Sequence, residues 1–110
     1  METLKKIRRI HPLGLRVLVK IKKDDDITES GLYLPEGSKN ALAESLLADV
    51  IEVATAVDDK THDETNISGV PLGATVLIGK HAGVVVPWNE TLRIVDTKEV
   101  LGIVHEMRLD

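Results

Sequence analysis

Apolar and polar positions first become regular in residues 15–23. Val17, Val19 and Ile21 lie at every second position, and lysines occupy the later positions between and after them. A period of two places alternate side chains on one face of a β-strand. Because lysines discourage pairing with other chains at an open sheet edge, the pattern predicts an edge strand with a basic outer end.

Further short apolar runs follow, and each is ended by glycine, proline or a polar turn. Many short strands with this punctuation are typical of an all-β barrel or sandwich. Before the last run, residues 96–99 fit a helical turn or tight loop capped by Asp96 or Thr97. The strands predicted after the first are 50–54, 74–78, 84–86, 92–95 and 100–107.

Two polar stretches predict long excursions from this β core. Residues 24–49 show no sustained strand period, and loops beyond roughly 12–15 residues are uncommon in compact domains unless they are functional or disordered. Within them, Leu42 and Leu46 have helical spacing, which favours a short, weakly docked helix over 40–47. Residues 58–69 form the second excursion, which is polar as far as Asn66.

The first excursion contains an apolar tripeptide with no local core. Leu32, Tyr33 and Leu34 stand between Gly31 and Pro35. In an extended segment the two leucines project to one side and the tyrosine to the other. A short core strand is one interpretation of this tripeptide. The acidic approach and the flanking glycine and proline favour the other, an anchor for a groove on a partner protein.

The composition favours one β domain with an aliphatic core. The chain has 110 residues, no Phe, and a single Trp and Tyr, so Val, Ile and Leu must fill its interior. Cysteine is absent, which excludes disulfides and thiolate-bound zinc and makes a cytoplasmic location the simple expectation. We expect no signal peptide and no membrane-spanning segment.

Candidate catalytic and ligand groups are few. No two of the four histidines have the spacing of a metal site, and no serine lies on a nucleophile elbow. Residues 73–80 differ from a phosphate-binding loop, since they have one residue too many between the glycines and a histidine after the lysine. Neither an enzyme nor a bound metal or cofactor is expected.

Charge is divided unevenly along the chain. Residues 1–23 hold eight lysines and arginines against one acid, whereas the remainder holds six against seventeen. The alternative function is therefore a small β-barrel that binds nucleic acid through its basic N-terminal segment. No aromatic residues are interleaved there for base stacking, and the net charge of −4 also argues against it. We prefer the interpretation that these basic residues form a solvated or inter-subunit face. The basic residues are Lys5, Lys6, Arg8 and Arg9.

Several segments together resemble the chaperonin-10 family, the GroES-type co-chaperonins. Residues 10–20 resemble the opening of that family, and residues 30–35 are similar to its mobile-loop tripeptide with the preceding glycine. Residues 76–83 resemble its glycine- and lysine-containing block, and residues 92–94 and 99–104 resemble its C-terminal strand pair. These blocks occur in the family's order and span nearly the whole chain.

The resemblance implies a GroES-like irregular β-barrel in a seven-membered dome, with terminal strands paired between neighbouring subunits. Residues 24–49 would be a mobile loop that is disordered when free and orders as a hairpin on a GroEL-type chaperonin-60 ring in its ATP-bound state. The expected contact residues are Gly31, Leu32, Tyr33 and Leu34, and residues 58–69 would form the roof of the dome. The implied function is a ring-shaped lid that assists protein folding without cofactor or catalysis.

Overall fold

The computed structural model describes residues 7–22 and 45–106, and the regular secondary structure of these residues is almost entirely β-strand. The predicted all-β class is confirmed, and the fold agrees with the small barrel of the family that the sequence resembles. The 3-10 turn Thr97–Glu99 precedes the last strand of the described chain. The strands are β1 Arg16–Ile21, β2 Ser45–Val53, β3 Thr55–Val57, β4 Glu64–Asn66, β5 Thr75–Gly79, β6 Val84–Val86, β7 Asn89–Asp96 and β8 Val100–Val104.

Six strands form one antiparallel sheet in the order β6-β7-β1-β2-β5-β8. The prediction that β1 is an edge strand is wrong, because β7 and β2 pair with it on either side. Val17, Leu18 and Val19 are all buried, as expected for a central strand covered on both faces. The lysines that suggested an edge lie at the end of β1 and beyond it, where the strand leaves the core.

Strand β2 begins at Ser45, five residues before the predicted start. The helix expected over 40–47 is therefore wrong for its last three residues, and 45–49 do not belong to the first excursion. Leu46 pairs with Ile78 of β5, and Ala48 pairs with Ile21 of β1. The main-chain amides and carbonyls of this segment are thus paired with β5 on one side and β1 on the other. The free energy of this pairing outweighs the helical preference suggested by the local spacing. The remainder of the first excursion lies outside the described residues.

The core lies on one face of the six-stranded sheet and consists of aliphatic side chains. Ile78 is its largest fully buried member. Its partly buried neighbours include Ile21, Leu46 and Val100. In place of Phe, the buried cluster uses β-branched residues from four strands, β1, β2, β5 and β7, together with Val70. The buried cluster comprises Val17, Val19, Ala48, Val50, Val53, Val70, Val76, Ile78, Ala82 and Val95.

The second predicted excursion is partly a strand. β3 and β4 form a separate two-stranded hairpin, in which Ala56 pairs with Thr65. Strand β4 lies inside the 58–69 stretch that the sequence predicted as loop, so only the parts on either side of it are irregular. Polar side chains hid this strand because both of its faces are exposed. The predicted turn at 96–99 is confirmed, and the Asp96 amide donates to Glu99 Oε1 over 3.2 Å.

Candidate functional site

The predicted contact residues Gly31, Leu32, Tyr33 and Leu34 lie outside the described residues. The structure does define where the segment that carries them is attached. This segment leaves the sheet after Lys22, at the end of β1, and returns at Ser45, the first residue of β2. Since β1 and β2 are adjacent and antiparallel, both attachment points lie at the same end of the sheet.

The two attachment points are joined by main-chain and side-chain contacts. The Lys22 amide donates to the Leu47 carbonyl over 2.9 Å. Lys22 Nζ lies 3.6 Å from Asp49 Oδ2, and Thr75 Oγ1 donates to the other carboxylate oxygen of Asp49 over 2.9 Å. Asp49 therefore links β2 to both neighbouring strands. These contacts fix both ends of the excursion to the sheet.

An open sheet edge lies on the β8 side of the molecule. β8 pairs with β5 only and ends the sheet within the described chain. Its side chains are largely exposed, with Leu101 at 65% and Ile103 at 40% of full exposure. A shallow cleft of about 490 Å³ adjoins it, lined by residues 71–75 and 103–106. Unpaired main-chain groups beside exposed apolar residues form a surface suited to pairing with another chain.

Residues 7–13, which belong to no helix or strand, cross the opposite face of the sheet, and we call them the N-terminal arm. Arg8 Cζ lies 5.0 Å from the ring centre of Trp88, in the β6–β7 turn, and Arg9 Nη2 lies 3.2 Å from Glu52 Oε1 on β2. His11 Nε2 is 3.2 Å from Thr55 Oγ1, at the start of β3. The arm is thus attached to three separate elements through side chains.

Arm contacts explain a burial that the sequence did not predict. Leu18 points away from Val17 and Val19, towards the face where lysines follow, yet it is only 3% exposed. Leu18 lies at a cleft of about 300 Å³ between the arm and the sheet, where Ile10 and Leu92 are also lining residues. The arm therefore gives the sheet a second covered face. The one feature of the sequence that hints at this second covered face is Trp88, the lone tryptophan of a chain without Phe.

The hairpin tip carries an acidic turn. Asp58 Oδ1 accepts hydrogen bonds from the amides of Lys60, at 2.7 Å, and Thr61, at 3.0 Å. These amides, that of Thr61 foremost, stabilise the carboxylate and lower the pKa of Asp58 below its ordinary value. His62 follows with φ of 62°, a left-handed conformation at the tightest point of the turn. The geometry is that of a structural turn that fixes the hairpin tip.

Side chains that could form a metal site do not come together in the described chain. Across residues 7–22 and 45–106, no three His, Asp or Glu side chains come together as a metal site requires. Nor does this part of the chain contain a helix long and apolar enough to span a bilayer. Of the basic residues that suggested nucleic-acid binding, Arg8 and Arg9 contact Trp88 and Glu52. What remains on the described surface is the open β8 edge with its exposed apolar side chains.

Comparison with known proteins identifies the class. Residues 9–104 match the family model of the chaperonin 10 kDa subunit, so the chain belongs to that family. It is 37% identical to the co-chaperonin GroES of Borreliella burgdorferi over 91% of this chain and the whole relative. It is 31% identical to that of Caldicellulosiruptor saccharolyticus over 89% of this chain and 99% of the relative. It is 29% identical to the co-chaperonin GroES of Thermotoga maritima over 89% of this chain and 98% of the relative.

These matches confirm the co-chaperonin function that the sequence motifs implied. The alternative, a nucleic-acid-binding barrel, finds no support among the relatives. The residues that match the family model begin at Arg9, so Arg8 lies just outside the match.

Proposed function

We propose that the chain assembles as a homo-oligomeric ring, a heptamer, and caps a GroEL-type chaperonin-60 ring in its ATP-bound state. In this proposal the lid closes a chamber where a client protein folds. The chain itself performs no catalytic step, and ATP hydrolysis belongs to the partner. A cytoplasmic location, expected from the absence of cysteine, is part of the same proposal.

The observation that carries this proposal is the fixed base of the segment between β1 and β2. Contacts of Lys22 with Leu47 and Asp49 hold both of its ends at one end of the sheet. A rigid scaffold can therefore present Gly31, Leu32, Tyr33 and Leu34 in the same direction from every subunit. Burying each leucine in a partner groove contributes about 1.5–3 kcal/mol, and ordering the loop offsets much of this gain.

A ring makes such weak contacts sufficient. Several identical loops on one particle gain avidity by factors of roughly 10²–10⁴. Two features of the described chain support a ring: the open β8 edge with exposed Leu101 and Ile103, and the extended N-terminal arm. Pairing of the arm with β8 of a neighbouring subunit would cover both. The repeat of one heterologous contact closes into a ring when its rotation permits.

Two measurements test the proposal. Light scattering should show a particle several times the 12.0 kDa chain mass, and a monomer would overturn it. The double variant Leu32→Ala, Leu34→Ala should keep the ring but lose ATP-dependent capture by chaperonin-60 in a pull-down. Val57→Ala, which shortens an exposed side chain on the hairpin, is the control and should bind normally. Loss of the ring in the double variant would instead assign both leucines to the core.

A further inference from the structure

The N-terminal arm straddles the central strand of the sheet. Trp88 lies beside β7 and Glu52 lies on β2, and these two strands flank β1. Arg8 and Arg9 are consecutive, and consecutive side chains of an extended segment project to opposite sides. One arginine therefore contacts each flank, while Leu18 of β1 is covered between them. We call Arg8, Trp88, Arg9 and Glu52 the arm clamp.

The arm clamp holds the arm while leaving its other side open. Ile7 is 91% exposed and Leu13 is 71% exposed, so these apolar side chains face solvent instead of the sheet. Within the described residues, no main-chain hydrogen bond joins 7–13 to a strand. The arm is thus docked through side chains, and most of its main-chain groups, together with Ile7 and Leu13, remain available to another chain.

We propose that the arm clamp is a positioning device, which preorganises the arm for pairing with the open β8 edge of a second copy of this chain. A segment that side-chain contacts already hold in place loses less conformational freedom when it pairs. This inference rests on the proposed ring, and it adds residues that set how tightly the ring holds. Arg8, at the end of the arm, precedes the residues matched by the family model.

Trp88 is the only tryptophan in the chain and reports directly on the clamp. Acrylamide quenching of its fluorescence, at a concentration where light scattering shows one assembly state for all variants, measures whether the arm is docked. Arg8→Ala should raise the quenching constant by removing the covering guanidinium. Glu52→Gln is the sharper test, since Glu52 does not contact Trp88. Quenching should rise in that variant only if the arm moves as a unit.

Assembly is measured separately by dilution with light scattering. Both clamp variants should raise the midpoint concentration for ring dissociation, Arg8→Ala by roughly two- to fivefold for one exposed cation–π contact and Glu52→Gln by up to about fivefold for one exposed ion pair. Lys60→Ala removes a positive charge from the exposed hairpin tip and should change neither quantity. Circular dichroism should show the same β content in every variant.

The outcomes separate the clamp from the ring. Unchanged Trp88 quenching in Glu52→Gln would overturn the arm clamp, and raised quenching with an unchanged midpoint would overturn its role in preorganisation. A monomeric wild-type chain would overturn the ring itself, and with it the proposed function, before any variant is compared. Raised quenching together with a raised midpoint in both variants, but not in Lys60→Ala, is the result that supports the inference.

Discussion

Gly83 packs directly against the main chain at Ile94. A Cβ built on Gly83 would lie 2.5 Å from the Ile94 carbonyl oxygen and 2.7 Å from Val95 Cγ2. Its φ of +75° is also in the left-handed region. The turn before β6 is held here on both sides, because the Gly83 amide donates to Glu99 Oε2 and Arg93 Nη1 donates to the Ala82 carbonyl.

Gly83→Ala should lower the free energy of unfolding by about 2–4 kcal/mol. The left-handed conformation costs about 1–2 kcal/mol, and the clash with β7 adds a further cost of similar size. Urea denaturation is the measurement. Gly73→Ala, at φ of +85° in open space, should show the conformational cost alone. Gly79→Ala, with neither constraint, should cost least, and equal losses in all three would contradict this account.

Ile78 is fully buried in the core, and its truncation should be costly. Ile78→Ala should destabilise the fold by about 2–5 kcal/mol, and Ile78→Val by about 0.5–1.5 kcal/mol, because each leaves a cavity that the surrounding strands fill only in part. Thermal unfolding checks both. Ile67→Ala, at a half-exposed position, is the control and should cost clearly less. A small loss at Ile78 would show that this core repacks freely.

Asn66 and Ser68 form a polar network after β4. Asn66 Nδ2 donates to the Val70 carbonyl over 2.8 Å, and Asn66 Oδ1 accepts from the Ser68 amide over 2.8 Å. Ser68 is 2% exposed, so its groups lose solvent as an alternative partner.

Asn66→Ala should therefore lower the free energy of unfolding by about 1–3 kcal/mol, because the Ser68 amide loses its partner while the Val70 carbonyl keeps only Ser68 Oγ. Asn66→Asp keeps the acceptor for the Ser68 amide but replaces the donor to Val70 with a carboxylate oxygen. Its stability should also fall, as measured by urea denaturation. Wild-type stability in Asn66→Asp would mean that the bond to Val70 contributes little.

Asp58 makes the hairpin sensitive to acid. Its pKa is lowered in the folded chain by the amides of Thr61 and Lys60, so the folded state holds the proton less tightly than the unfolded state does. The resulting stabilisation is present above the ordinary aspartate pKa, near pH 4, and is lost as the pH falls through the lower folded value. Carbon-13 NMR of the carboxyl group should give a midpoint below that of an unstructured aspartate. In Asp58→Asn this part of the acid dependence should disappear.

Much of the fold follows from local pattern. The spacing of Val17, Val19 and Ile21 predicts a strand, since period two specifies which side chains share a face. Glycine and proline around the later apolar runs predict most of the remaining strands and the turn at 96–99. Motifs at 10–20, 76–83 and 99–104 indicate the family, and the comparisons confirm it. The contact residues Gly31, Leu32, Tyr33 and Leu34 also come from sequence and remain a prediction.

Tertiary structure decided what local pattern cannot encode. Lysines beside β1 indicate an edge, but two neighbouring strands place it in the middle of the sheet. The spacing of Leu42 and Leu46 favours a helix, but pairing of Leu46 with Ile78 extends β2 instead.

Tertiary structure also decided how the second face of the sheet is covered and how the arm clamp forms. Leu18 lies beside the arm, and Arg8 meets Trp88, because the arm folds back across β1. The sequence by itself determined most of the strands and the family to which the chain belongs. Which strands become neighbours, and what covers them, depends on contacts between residues far apart in the chain, whose free energy exceeds local propensity.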